Sequence, residues 1–198
     1  GIYQTKNLLT VLEVCSQLQQ AGWKTDESVI HQSLKQVKKL TGLHGRWELI
    51  RQSPLLILDV AHNADGIQQL VQQIELTQHK NLHIIIGLVK DKDIDAVLHL
   101  LPKHAAYYFT KAQIPRALPE EELNRMAKRN GLKGKAYSSI NTALYGASLN
   151  AGKDDLIIVC GSIFLVGEIS LKSIKAIWGN EGLPAESLSF LEMIPYFD

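Results

Sequence analysis

The chain has 198 residues, 45% of them hydrophobic and 21% charged, with a formal charge of +1. That suits a globular fold with one sizeable core and a smaller appendage. The balanced charge gives no electrostatic support for a nucleic-acid or membrane-surface role, and no apolar run approaches the roughly 20 residues needed to span a bilayer. Cys15 and Cys160 lie far apart without a CxxC spacing, which suggests free thiols in a reducing cytosol and neither a disulfide framework nor a metal site. No charged-then-apolar signal opens the chain. The opening GIYQTKNLLTVLEV already lies inside a helical pattern, so the expectation is a cytoplasmic chain cut from a longer one.

Residues 4–20 read as a helix, with Leu8, Val11, Leu12, Cys15 and Leu18 at helical spacing. Thr25 or Asp26 can cap a second helix over 26–39. TGLHGRWELI, at 41–50, has two glycines and then an extended stretch, and reads as a hinge or linker leading into a first strand. From there apolar strands alternate with helices. Strands are expected at 55–60, 82–89, 105–112, 135–139 and from 155, the last running into a helix by 166. Helices are expected at 64–78, over DIDAVLHLLP, at 119–130 and over NTALYGASLNA. Most of these strands are continuous apolar runs, the pattern of strands buried on both faces of a parallel sheet. The fold class is therefore α/β: a Rossmann-like, mostly parallel sheet flanked by helices, after a short N-terminal helical segment. The stretch 173–198 lacks this rhythm and reads as a docked or partly ordered tail of unknown role.

In such sheets a ligand binds outside the carboxyl ends of the strands. There the sequence places Asp59-Val60-Ala61-His62-Asn63, Lys90-Asp91-Lys92-Asp93, Thr110-Lys111 with Pro115-Arg116, and Gly161-Ser162. A parallel sheet brings all four ends to one side, which suits a charged small molecule. Strand-to-helix turns also use Asp, Asn, Ser and Gly simply as caps.

GIYQTKNLLTVLEV, TGLHGRWELI, LDVAHNADG, GLVKDKDI and IIVCGSIFLVGEI occur in this order over residues 1 to 172. In that order they resemble folylpolyglutamate synthase and dihydrofolate synthase, of the Mur ligase superfamily of ATP-dependent amide-forming enzymes. The resemblance implies a two-domain enzyme whose N-terminal ATPase domain carries a P-loop, the magnesium ligands and most of the pterin site. No GxxxxGK[ST] occurs in these 198 residues, so no amide cradle for a triphosphate is present. The implied division is terminal helices of the ATPase domain plus linker at 1–43, a Rossmann-like ligase domain at 44–172, and the tail at 173–198. The chain by itself is then expected to be inactive.

The resemblance assigns Asn7 to the adenine, Arg46 to the phosphates and Asp59 to the ribose of ATP. It assigns His62 and Ser162 to the incoming L-glutamate, with Lys90 or Lys92 complementing its carboxylates. The chemistry is compatible with each. Asn offers a donor and an acceptor, guanidinium matches phosphate oxygens, carboxylate accepts from ribose hydroxyls, and Ser at a helix start can bind a carboxylate. The alternatives are Asn7 as a solvated helix residue, Arg46 as a surface linker charge, Asp59 as a cap for the helix at 64, His62 as a structural imidazole and the lysines as a solvated turn. The implied reaction phosphorylates a carboxylate of folate or dihydropteroate and lets the glutamate amine attack the acyl phosphate. The alternative function is a free-standing Rossmann-like module that binds a ligand or partner without catalysis.

Overall fold

The computed structural model describes residues 4–183. By internal contacts the chain divides into two units, one ending at His44 and one beginning at Gly45. The first holds helices α1 (Gln4–Gln20), α2 (Glu27–Lys35) and α3 (Val37–Thr41). Of the two candidate caps, Asp26 starts α2, its carboxylate accepting from the Val29 amide at 3.0 Å. Thr25 instead donates its hydroxyl to the Cys15 carbonyl at 3.1 Å. The single helix expected over 26–39 is two helices, because the backbone leaves helical geometry at Gln36. Neither Pro nor Gly marks that break, so the sequence carries no local signal for it.

The second unit contains strands β1 (Glu48–Gln52), β2 (Leu55–Leu58), β3 (Leu82–Ile86), β4 (Ala106–Phe109), β5 (Lys133–Ala136) and β6 (Leu156–Cys160). They form one sheet in the order β1-β2-β6-β3-β4-β5, parallel except for β1, which runs antiparallel to β2. The chain steps outward through β3, β4 and β5, then returns to place β6 between β2 and β3. The switch of direction therefore lies at β6, where a doubly wound sheet opens its binding crevice.

Helices α4 (Ala64–Glu75), α5 (Ile94–Leu100) and α6 (Glu120–Arg129) cover one face, packing Ile67, Val97 and Leu123 with Ile84, Ile86, Tyr107 and Phe109. Helices α7 (Ile140–Ser148), α8 (Ile163–Gly167) and α9 (Leu171–Trp178) cover the other, packing Leu144, Leu165 and Ile174 with Ile85, Tyr108, Ile157 and Val159. Alternate residues of each strand thus feed opposite cores. This is why the central strands read as unbroken apolar runs.

Three expectations shift. The stretch read as a linker ends in the first three residues of strand β1, whose charged Glu48 and Arg51 are buried. The short strand expected at 135–139 lies at Lys133–Ala136, on the sheet edge. The proposed tail begins inside α9, whose Leu171 and Ile174 are core residues. After α9 the chain returns to β1. The Gln52 amide donates to the Gly182 carbonyl at 3.0 Å, and the Arg51 guanidinium donates to the Glu181 carbonyl and lies 5.9 Å from the Trp178 ring centre. That return covers a sheet edge that would otherwise expose unpaired backbone. Residues 184–198 of the expected tail lie outside the described residues.

Candidate active site at the carboxyl ends of the strands

Strand β2 delivers Asp59 at its end, with its amide still bonded to the Val159 carbonyl at 2.9 Å. Asp59 is 2% exposed. Its Oδ1 accepts from the Ala61 amide at 2.9 Å and its Oδ2 from the Trp47 amide at 2.8 Å. It does not cap α4; Asn63 does, accepting from the Gly66 amide at 2.9 Å. Two turns therefore depend on this carboxylate: the step from β2 towards His62, and the turn that precedes β1.

That second turn carries Arg46. Gly45 has φ of 72°, and a Cβ there would lie 2.6 Å from Val60 Cγ1. Only glycine lets the linker approach the strand end so closely. The Gly45 carbonyl accepts from the Val60 amide at 2.8 Å, and the Gly45 amide donates to the buried Glu48 carboxylate at 2.9 Å. Trp47 has φ of 52°, a left-handed conformation that costs a non-glycine residue of order 1 kcal/mol and persists only where its surroundings dictate it. Between these pinned residues the Arg46 side chain is exposed. An exposed guanidinium on a fixed turn beside a strand end is suited to an anionic oxygen.

His62 is partly buried, and its Nδ1 lies 2.9 Å from the Val60 carbonyl. A carbonyl only accepts, so Nδ1 carries the proton. In the neutral ring Nε2 is then an acceptor. Both readings of His62 meet here, since one nitrogen serves the backbone and the other offers a lone pair.

The end of β6 adjoins that of β2, with the Gly161 amide donating to the Ala61 carbonyl at 2.8 Å. Gly161 has φ of 106°, and a Cβ there would lie 2.4 Å from the Gly87 carbonyl oxygen. The ends of β2, β6 and β3 therefore converge through glycine backbone. Ser162 follows, buried, with its Oγ accepting from the Phe164 amide at 3.2 Å as the cap of α8. Its hydroxyl proton is available to a second acceptor.

Lys90 is exposed and Lys92 partly buried, on the turn after β3. This turn pairs with the one after β4: the Lys90 amide donates to the Arg116 carbonyl at 3.1 Å. Arg116 lies over the Phe164 ring at 4.7 Å and 3.9 Å from the Asp91 carboxylate. Asp93 caps α5, accepting from the Ala96 amide at 3.1 Å. Lys111 is engaged with Glu120 at 2.9 Å, in the first turn of α6. That ion pair and the helix end hold the Glu120 carboxyl below the usual range, its bond from Lys111 being the main cause. Thr110 is fully buried. Of the strand-end groups, those after β4 thus serve largely the fold.

Asn7 lies on α1 in the first unit, exposed, with its Nδ2 donating to Gln4 Oε1 at 2.8 Å. Among the described residues no group of three or more His, Cys, Asp or Glu side chains is arranged to hold a metal ion. No helix of the described residues is long and apolar enough to cross a membrane. Cys160 is buried, and burial pushes its thiol far above the normal range; Cys15 is partly buried, and both are free. The sequence reading missed Gly45, Trp47 and Glu48. The adjacent glycine and buried-acid pattern offered a faint signal, but only the tertiary contacts give it meaning.

Residues 45–163 match the Mur ligase, glutamate ligase domain. The chain is 29% identical over 169 residues to a probable bifunctional folylpolyglutamate synthase/dihydropteroate synthase of Haloferax volcanii, covering 85% of this chain and 19% of that protein. E. coli FolC, solved in complex with DHPP and ADP, superimposes with a TM-score of 0.66 at 27% identity, over 80% of this chain and 37% of that one. A bifunctional folylpolyglutamate synthase/dihydrofolate synthase solved with Mn, AMPPNP and L-glutamate gives 0.61 at 29% identity, over 71% and 33%. The chain thus spans well under half the length of these proteins. By the match over residues 45–163, the chain belongs to the Mur ligase family, as a glutamate ligase domain of the kind found in folylpolyglutamate and dihydrofolate synthases.

Proposed function

We propose that this chain supplies the phosphate-facing and glutamate-facing part of an ATP-dependent ligase that joins L-glutamate to folate or dihydropteroate. The observation that carries the reading is the exposed Arg46, fixed beside the converging ends of β2, β6 and β3. In the proposed reaction a carboxylate oxygen of the folate or pteroate attacks the γ-phosphorus of ATP, and ADP leaves. The glutamate nitrogen then attacks the acyl carbon, the carbon–oxygen bond to phosphate breaks, and a proton leaves the nitrogen. Arg46 neutralises phosphate charge in both steps. Nε2 of His62 accepts a hydrogen bond from the glutamate amine. The Ser162 hydroxyl donates to a glutamate carboxylate, which Lys90 or Lys92 complements. Asn7 is proposed for the adenine. Magnesium is proposed to be held by a P-loop ATPase domain, where the resemblance places its ligands.

These 198 residues contain no GxxxxGK[ST], so the chain alone should not turn over ATP. Phosphate release is to be measured with this chain, with a relative's P-loop domain, and with both together, in the presence of L-glutamate and dihydropteroate or folate. Release that needs both proteins and both substrates, and that falls at least tenfold with Arg46→Ala, an effect of about 1.4 kcal/mol, supports the ligase. Nucleotide or glutamate binding by this chain with no response to any P-loop domain turns the reading to a binding module.

A further inference from the structure

We infer that Asp59 is a positioning residue: its buried carboxylate ties down the backbone that presents Arg46 and so sets how the guanidinium meets phosphate. The inference rests on the phosphate role proposed for Arg46. Two peptide planes flank Arg46. The Gly45–Arg46 plane is held through its carbonyl, which accepts from the Val60 amide at 2.8 Å. The Arg46–Trp47 plane is held through its amide, which donates to Asp59 Oδ2 at 2.8 Å. Both ties run to consecutive residues at the end of β2. Gly45 and Trp47 have φ of 72° and 52°, so the turn is an unusual one that external bonds must hold.

The other carboxylate oxygen of Asp59 accepts from the Ala61 amide at 2.9 Å, and the residue is 2% exposed. Each oxygen is engaged by a backbone amide. The group is built as a bridge between β2 and the linker. A long exposed side chain loses rotamer freedom when it grips a ligand, and a fixed backbone lowers the ordering that remains. A ribose contact and a positioning role differ in one consequence. Only the positioning role makes Asp59 matter to a phosphate ligand that has no ribose.

The test titrates inorganic tripolyphosphate into the 198-residue chain, followed by NMR of backbone amides and arginine Nε groups. Unsubstituted chain, Asp59→Asn, Arg46→Ala and the double variant are compared. The expected result is that Asp59→Asn raises the Kd for tripolyphosphate by about tenfold, the scale of one charge-assisted hydrogen bond. Arg46→Ala should raise it at least as far, and the double variant should be no weaker than Arg46→Ala alone. Hydrogen exchange of the Trp47 amide should speed up in Asp59→Asn while the amides of β3 and β6 stay protected. An unchanged Kd in Asp59→Asn, or an effect that adds in full to that of Arg46→Ala, overturns the positioning role.

If the unsubstituted chain does not bind tripolyphosphate, the phosphate reading of Arg46 falls and the positioning role with it. Trp47 exchange then still reports whether Asp59 holds the turn. If Asp59→Asn loses protection throughout β3 and β6, Gly45→Ala takes its place. Its Cβ would meet Val60 Cγ1 at 2.6 Å and displace the turn with Asp59 intact. The same weakening is expected there, and unchanged binding overturns the proposal.

Discussion

Asp59 and Asp155 are buried to the same degree, 2% exposed each, at opposite ends of one sheet. Asp59 follows β2 at the carboxyl edge. Asp155 precedes β6 at the amino edge, where its Oδ1 accepts from the Asn81 amide and side chain at 3.0 and 2.9 Å. Its Oδ2 accepts from the Gly152 amide at 2.7 Å and lies 3.3 Å from His83 Nε2. His83 Nδ1 in turn lies 3.1 Å from the Tyr108 hydroxyl. His83 thus links Asp155 to the Tyr108 hydroxyl. Both aspartates satisfy buried backbone amides, as buried polar groups must. They differ in what the held backbone carries. Asp155 joins the starts of β3 and β6 and keeps the Asn81 side chain bonded to itself, whereas Asp59 fixes a turn that projects an exposed arginine. A buried carboxylate is thus a structural element at either end, and only at the carboxyl end does it hold a turn whose arginine is proposed to meet phosphate.

The largest effect expected from this contrast is on stability, at the amino edge. Asp155→Ala strands the Asn81 and Gly152 amides and one His83 nitrogen, and should cost about 3 kcal/mol in denaturant unfolding. Tripolyphosphate binding by the folded fraction should not change. A large loss of binding with little loss of stability would erase the distinction between the two edges. The same network has a pH signature. Burial alone pushes the Asp155 carboxyl up, but hydrogen bonds from Gly152, His83 and Asn81 outweigh it and hold the group below the usual carboxylate range. A lowered folded value means that the unfolded chain binds the proton first. The stability that Asp155 contributes is therefore present above about pH 4 and lost as pH falls through its folded value. Acid unfolding of Asp155→Asn should lack that part of the slope.

At the carboxyl edge, Gly161→Ala comes next. It forces a side chain into φ of 106° with Cβ 2.4 Å from the Gly87 carbonyl oxygen. A stability loss of about 1–3 kcal/mol is expected, together with shifted amide signals at Ala61 and Ser162. Unchanged signals there would separate the ends of β2 and β6 and weaken the convergent site. The smallest effect is Arg116→Ala. Its stacking on Phe164 and its loose pair with Asp91 are both solvent-exposed, so about 0.5 kcal/mol is expected by thermal unfolding. A loss several times larger would add Arg116 to Lys111 and Thr110 as a group that holds the turn after β4.

The apolar runs LLIL, LHIII and LIIVC were legible as strands because nearly all their residues pack against one core or the other, His83 alone serving a buried polar network. Strand β1 was not, because its polar members are satisfied by distant groups. Glu48 meets a backbone amide ahead of the strand, and Arg51 meets a carbonyl 130 positions on. Helix α9 was missed for a similar reason: its apolar residues Leu171 and Ile174 are a short stripe that gains meaning only from the second core. In the candidate site, the residue types and their place at strand ends were readable. The cap of α4 was misassigned among the alternatives for Asp59, since Asn63 and Asp59 both carry an oxygen at plausible spacing.

By itself, then, the sequence determined a mostly parallel α/β sheet and the side on which its polar strand ends gather. Periodicity and apolar run length are local properties, and parallel connections force a common edge. The tertiary structure alone decided what each polar group does there. That Asp59 holds two amides, which nitrogen of His62 serves the backbone, and whether Arg46 hangs loose or sits on a fixed turn depend on bonds between residues apart in the chain. Hydrogen bonds are directional and short, so their partners are settled by the folded geometry and not by spacing along the sequence.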